Sequence, residues 1–244
     1  MYNKKPKMIL FDVGGTLFAG DNFSAEKGFS ALLKLAQNPK ITDAKALTAL
    51  WDEYIEEIGS LYSESGIHLD LALSAIIKYA TMNTGLHIDL PIAQQEEIFD
   101  RYNSDRTVID GVPELFKTLE KLNIRYAIIS NNAMSGDGLG LAIRQWIPSA
   151  NPEFVLTSAD LMFTKPAEKI FVAASNYAHL KPEECWYCGD GKIPDVDGAQ
   201  GVGMSPVLLD EKSEIPLEFR EDGIKGEYIT VNNWNVLKDL LYKL

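Results

Sequence analysis

Residues 8–17 read Met8-Ile9-Leu10-Phe11-Asp12-Val13-Gly14-Gly15-Thr16-Leu17. Four apolar residues closed by an acid and a pair of glycines have the length of a buried strand and the punctuation of a tight turn. Lys4, Lys5 and Lys7 precede the run, yet Asp12 ends it far short of a signal-peptide core or a membrane span. In open α/β sheets chemistry gathers where strands end. Asp12 is therefore the first candidate position.

Downstream, the apolar spacing is helical from about residue 24 to residue 103. Ala46, Leu47, Leu50, Trp51, Tyr54, Ile55 and Ile58 fall on one face behind the candidate cap Thr42, and residues 69–80 and 91–102 show a similar period. Near Asp110 the alternation of helix and strand resumes. A helix through Leu115, Leu119 and Leu122 leads to strands at 126–129, 154–156, 185–188, 207–209 and 228–231. Lys165-Pro166 opens a further helix whose Ile170, Phe171, Ala174, Tyr177 and Ala178 share a face, and Trp234, Leu237, Leu241 and Leu244 stripe the last one. The expected fold is α/β, a doubly wound, mainly parallel sheet built from residues 1–17 plus 106–244. A smaller all-α cap, residues 18–105, is inserted after the first strand.

The chain has 244 residues and a formal net charge of -12. That size suits one substantial core with an accessory unit. The charge repels phosphate backbones and anionic lipid surfaces, so neither nucleic acid nor membrane is an expected partner, and a cytoplasmic location is expected. No pattern speaks to oligomeric state. The two cysteines, Cys185 and Cys188, cannot close a zinc site alone. Three apart on a strand, they point to opposite faces and cannot bridge, so they are expected to be buried core thiols.

Three polar clusters follow strands that are far apart in sequence: Asp12, Ser130-Asn131-Asn132 and Gly189-Asp190. Together with Lys165-Pro166 and Asp195, and in this order, they resemble the four motifs of the haloacid-dehalogenase-like (HAD) superfamily, helical-cap (subclass I) type. The resemblance spans residues 8 to about 205. It implies a hydrolase, a phosphatase acting on a small phosphorylated metabolite, with Asp12 as nucleophile and an aspartyl-phosphate intermediate. It further implies Mg²⁺ held by Asp12, the carbonyl of Gly14 and Asp190, with Asp195 ligating directly or through water. Thr16, Ser130, Asn131 and Lys165 would hold the phosphoryl group, and Ser130 and Lys165 would act with Asp12 in catalysis. Physical need runs the same way, because three carboxylates in one pocket require protons or a hard cation.

At one point the pattern departs. Phosphatases of the resembled family usually place a second Asp two residues after the nucleophile, as proton donor and later as base, and here that position is Gly14. Weakened acid–base catalysis is expected. Relatives without that Asp include 2-haloacid dehalogenases, which need a cap arginine, and no Arg lies between Asp12 and Asp100. Phosphonate-cleaving relatives need a cap lysine, for which Lys27, Lys34, Lys40 and Lys45 are candidates. Two other classes remain as alternatives. Asp-x-Gly-Gly-Thr also opens the phosphate loop of actin-like sugar kinases, where the turn leads into the second strand of a hairpin. A non-catalytic phosphometabolite-binding protein could keep the fold after losing the acid.

Overall fold

The computed structural model describes residues 2–20, 22–65 and 70–244, with backbone alone for residues 62–65. The opening run is strand β1 (Met8–Phe11), all four residues buried. Its side chains divide by parity, as a pleated strand requires. Ile9 and Phe11 enter one hydrophobic cluster, and Met8 and Leu10 enter another on the opposite face. Cys188 and Cys185 divide in the same way, and both are free thiols.

After the glycine turn comes β2 (Phe18–Ala19), and then four helices: α1 (Ala25–Leu33), α2 (Ala44–Ser65), α3 (Leu73–Thr84) and α4 (Ile92–Asn103). The chain returns through β3 (Thr107–Val108), which pairs antiparallel with β2. The turn after β1 thus leads into a two-stranded link with the returning chain, not into a hairpin with β1 of the kind a sugar kinase would need. The remainder is α5 (Val112–Lys121), β4 (Arg125–Ser130), α6 (Gly136–Trp146), β5 (Val155–Thr157), α7 (Ser158–Leu161), α8 (Glu168–Tyr177), β6 (Cys185–Gly189), α9 (Gly198–Val202), β7 (Ser205–Leu209), β8 (Leu217–Gly223), β9 (Gly226–Val231) and α10 (Trp234–Lys243). The seven-stranded sheet runs β5-β4-β1-β6-β7-β9-β8, parallel except for the edge strand β8. Helices cover both faces, as the α/β expectation requires. No helix among the described residues is long and apolar enough to cross a membrane.

Several local expectations need correction. α2 is capped by Asp43, whose Oδ1 accepts from Ala46 N at 2.9 Å, while the buried hydroxyl of Thr42 has no partner. Leu47 is buried, but Ala46 and Ile55 of the expected apolar face are exposed. Lys165-Pro166 lies ahead of α8 and does not open it, and its peptide bond is cis. Tyr177 is exposed, although Ile170, Phe171, Ala174 and Ala178 are buried. The expected helical position of Leu69 lies outside the described residues, as does the side chain of Tyr62.

The helical segment does not stand apart energetically. Phe29, Leu32, Leu47, Ile77 and Phe99 share one buried cluster with Leu139 and Ile143 of α6. A polar contact reinforces the seam: Glu96 on α4 accepts from Ser135 N at 3.1 Å and from the Ser135 hydroxyl at the start of α6.

Candidate active site

β4, β1 and β6 are neighbours, and Phe11 is level with Ile128 on one side and Cys188 on the other. Their carboxyl ends therefore bring residues 12, 130–132 and 189–190 together across about 180 positions of sequence. A cleft of about 270 Å³ opens there, lined by Asp12, Gly14, Ser130, Asn131, Lys165, Asp190 and Asp195, with Val13, Arg106, Asn132 and Pro194.

Lys165 is the hub. Its Nζ lies 2.7 Å from Asp12 Oδ1, 2.6 Å from Asp195 Oδ1 and 2.8 Å from the Tyr187 hydroxyl. An ammonium has three N–H bonds, and here each has an oxygen partner. Tyr187 in turn donates to Ile129 O at 3.0 Å. Burial, then the charges of Asp195 and Asp12, raise this phenol well above its ordinary value, so it stays neutral and serves Lys165 as an acceptor.

The backbone around the carboxylates is shaped by glycine. Gly15 has φ +68°, and a Cβ there would sit 2.1 Å from Asp190 Oδ2. Only glycine allows that turn to approach Asp190 so closely. Asp195 is fixed at both oxygens, Oδ1 by Lys165 and Oδ2 by Gly191 N at 2.8 Å. Asp12, Asp190 and Asp195 each place one carboxylate oxygen within 4.8 Å of the others. Such an all-oxygen set suits a hard divalent cation. Asp12 and Asp190 could bind it directly. Asp195, with both oxygens engaged, fits contact through water.

Burial pushes the Asp12 carboxyl above the ordinary carboxylate range, Lys165 pulls it back, and the Asp195 charge opposes that pull. Asp190 is raised by burial and then by Asp195. Without a cation the pocket thus disfavours full ionisation, and a bound cation would reverse that preference.

A sequence profile of the haloacid dehalogenase-like hydrolases matches residues 6–203. The chain belongs to this family. Among relatives of this hydrolase, the glyceraldehyde 3-phosphate phosphatase of Methanopyrus kandleri is 27% identical over 88% of this chain and 89% of that protein. Haloacid dehalogenase-like hydrolase domain-containing protein 3 of Homo sapiens is 31% identical, but the alignment covers 49% of this chain and only 46% of that protein. A 2-haloacid dehalogenase from Pseudomonas syringae pv. Tomato DC3000 superposes with TM-score 0.58 at 20% identity, over 98% of this chain and 99% of that one, a likeness of fold alone.

Of the residues singled out from sequence, this HAD hydrolase gathers Asp12, Gly14, Ser130, Asn131, Lys165, Asp190 and Asp195 at one cleft. Thr16 is different: it is fully buried and does not line the cleft. The Asn131 side chain is spent on the Lys165 backbone, not left free for a ligand. Lys27, Lys34, Lys40 and Lys45 are all exposed and away from the cleft, which leaves a Schiff-base lysine without support. Trp51 stacks on Phe99 at 5.2 Å and belongs to the helical core. Sequence reasoning missed Tyr187, hidden in a strand read only as core, and Arg106, which lies just beyond the stretch searched for a cap arginine.

Proposed function

We propose that this hydrolase is a Mg²⁺-dependent phosphatase of small phosphorylated metabolites, acting through an aspartyl-phosphate on Asp12. The observation that carries the reading is the Asp12–Lys165 ion pair beside two further carboxylates, at a strand edge that Ser130 shares. The relative aligned over nearly its whole length, named as a phosphatase, supports the same class.

In this reading one Asp12 carboxylate oxygen attacks phosphorus, the bond from phosphorus to the ester oxygen breaks, and the alcohol leaves after taking a proton from water. Water then attacks the acyl phosphate, releasing inorganic phosphate and restoring the carboxylate. Lys165 opposes the effect of burial, which favours the protonated form of Asp12, and screens the carboxylate charge from the incoming anion. Ser130 donates to a phosphoryl oxygen. A bound Mg²⁺ would neutralise the phosphoryl charge between Asp12 and Asp190. Residues 18–105 would form the cap that selects the substrate and excludes water, hinged at the β2–β3 link. Because Gly14 offers no proton, esters with acidic leaving groups should react fastest.

The absence of a carboxylate at Gly14 and the presence of Arg106 in the cleft favour a second reading, displacement of halide from a 2-haloacid. One panel separates the two. Phosphate release from para-nitrophenyl phosphate and alkyl phosphates, dependent on Mg²⁺ and lost in Asp12→Asn, supports the phosphatase. Chloride release from 2-chloropropionate with no phosphatase activity would replace it.

A further inference from the structure

The charge inventory of the cleft leaves one function without a residue. Lys165 faces two carboxylates and a phenol with all three of its N–H bonds, so it has no donor to spare for substrate. The other cationic side chain lining the cleft is Arg106. Its Nη1 donates to Asp100 Oδ2 at 2.7 Å, and its guanidinium carbon lies 5.6 Å from the centroid of the Phe18 ring. That one bond uses one of five N–H donors and leaves the rest of a planar fork beside the cleft.

The setting is built rather than incidental. Asp100 is buried in α4, and Phe18 in β2 is almost fully buried, so the guanidinium is held between a carboxylate and an aromatic face. The backbone fixes the side chain's origin as well: a Cβ on Gly20 would meet Asp105 O at 2.8 Å and Arg106 Cα at 3.2 Å, so the outgoing and returning links are in close contact. Arg106 reaches the cleft from this link, whereas Asp12, Ser130 and Asp190 reach it from the sheet edge. On the phosphatase reading, a substrate held at Asp12 by its phosphorus would turn its leaving portion toward the link, the side of the cleft away from the sheet edge.

We propose that Arg106 is the specificity-determining residue of this cleft and that it binds a carboxylate on the leaving portion of the substrate, making the substrate class phosphorylated carboxylic acids. The inference rests on the phosphatase reading above. Planar two-point hydrogen bonding of a carboxylate is the chemistry that a guanidinium with free donors serves best.

The test compares kcat/KM for 3-phosphoglycerate and glycerol 3-phosphate, which differ in that carboxylate, in wild type, Arg106→Gln and Arg106→Lys. Para-nitrophenyl phosphate reports the underlying phosphatase. The expected result is a wild-type preference for 3-phosphoglycerate that falls roughly 10- to 100-fold in Arg106→Gln and returns in part in Arg106→Lys, with the change mainly in KM. If Arg106→Gln fails to fold because Asp100 is left unpaired, Asp100→Asn/Arg106→Gln removes that buried charge and carries the same comparison. Turnover of para-nitrophenyl phosphate without a carboxylate preference, or an equal loss on both esters in the variants, overturns the inference and leaves the phosphatase standing. Absence of turnover with every ester overturns both.

Discussion

Asn131 holds the backbone of Lys165 from both sides: its Oδ1 accepts from Lys165 N at 2.7 Å and its Nδ2 donates to Lys165 O at 3.1 Å. A residue at the end of β4 thereby fixes a loop 34 positions away, and with it the ammonium that pairs with Asp12. Asn131→Ala should cost about 1–3 kcal/mol in denaturant unfolding, because two backbone groups lose their partners. It should also lower kcat more than it raises KM. Asn131→Asp keeps the acceptor, loses the donor and should fall between. Unchanged kcat in folded Asn131→Ala would mean that Lys165 needs no such hold.

Position 14 has room for the missing acid. Gly14 lies outside the left-handed region, and a Cβ there would meet nothing within 4 Å. Gly14→Asp should fold and raise steady-state phosphate release from ordinary alkyl esters, within the roughly 10²- to 10⁴-fold range typical of a general acid. Activated aryl esters should gain less. Equal or lower turnover on alkyl esters in the folded variant would remove proton donation from the list of what this cleft lacks.

The three-carboxylate cluster predicts linkage to metal. Mg²⁺ at 100 times its Kd should stabilise the folded chain by about 2.7 kcal/mol, read as a rise in Tm, and Asp190→Asn should shrink that rise. Gly15→Ala should do worse, since it combines a strained φ with a clash at Asp190. A Tm indifferent to millimolar Mg²⁺ would point to a metal-free site.

At the seam between α4 and α6, burial raises the Glu96 carboxyl, and the hydrogen bonds from Ser135 offset this only in part. A carboxyl raised in the folded state binds more protons folded than unfolded through that window, so its contribution to stability is full below about pH 4.3 and is lost as pH rises through the raised value. The stability difference between wild type and Glu96→Gln should therefore fall as pH increases through this interval and then level off. A difference that grows with pH would reverse the sign of the shift.

Trp234 ties the C-terminal helix to the nucleophile turn, its indole N–H donating to Thr16 O at 2.8 Å. Trp234→Phe should cost about 1–3 kcal/mol for the orphaned carbonyl, measured by chemical denaturation. No loss would mean that the carbonyl finds another donor.

How much of this was legible in the sequence depended on the kind of signal. β1, β4 and β6 announced themselves because both faces are buried, so their residues run apolar without interruption. Three of the four motifs could be placed because each sits at the end of such a strand, whereas Lys165-Pro166 lies between α7 and α8. β8 escaped because an edge strand is half exposed and Glu218, Arg220, Glu221 and Asp222 break its pattern. α6 escaped for a different reason. Gly136 and Gly138 weaken its helical signal, yet they are needed where the helix runs against Val155 O and Glu96 Oε2, each within 2.4 Å of a would-be Cβ. Arg106 could not be found by motif at all, since its place at the cleft comes from the pairing of β2 with β3. The Asn131 clamp was equally invisible, because spacing along the chain says nothing about which backbone an amide will meet.

The central claim is a covalent intermediate on Asp12, and Gly14 gives a direct way to see it. With no residue there to activate water, hydrolysis of the acyl phosphate should be the slow step, so the intermediate should accumulate during turnover. Acid quenching of a reaction with Mg²⁺ and para-nitrophenyl phosphate, followed by mass spectrometry of the peptide carrying Asp12, reads it out. The account predicts the added mass of one phosphoryl group on Asp12, absent in Asp12→Asn. Steady phosphate release with no phosphoryl group on that peptide would contradict it.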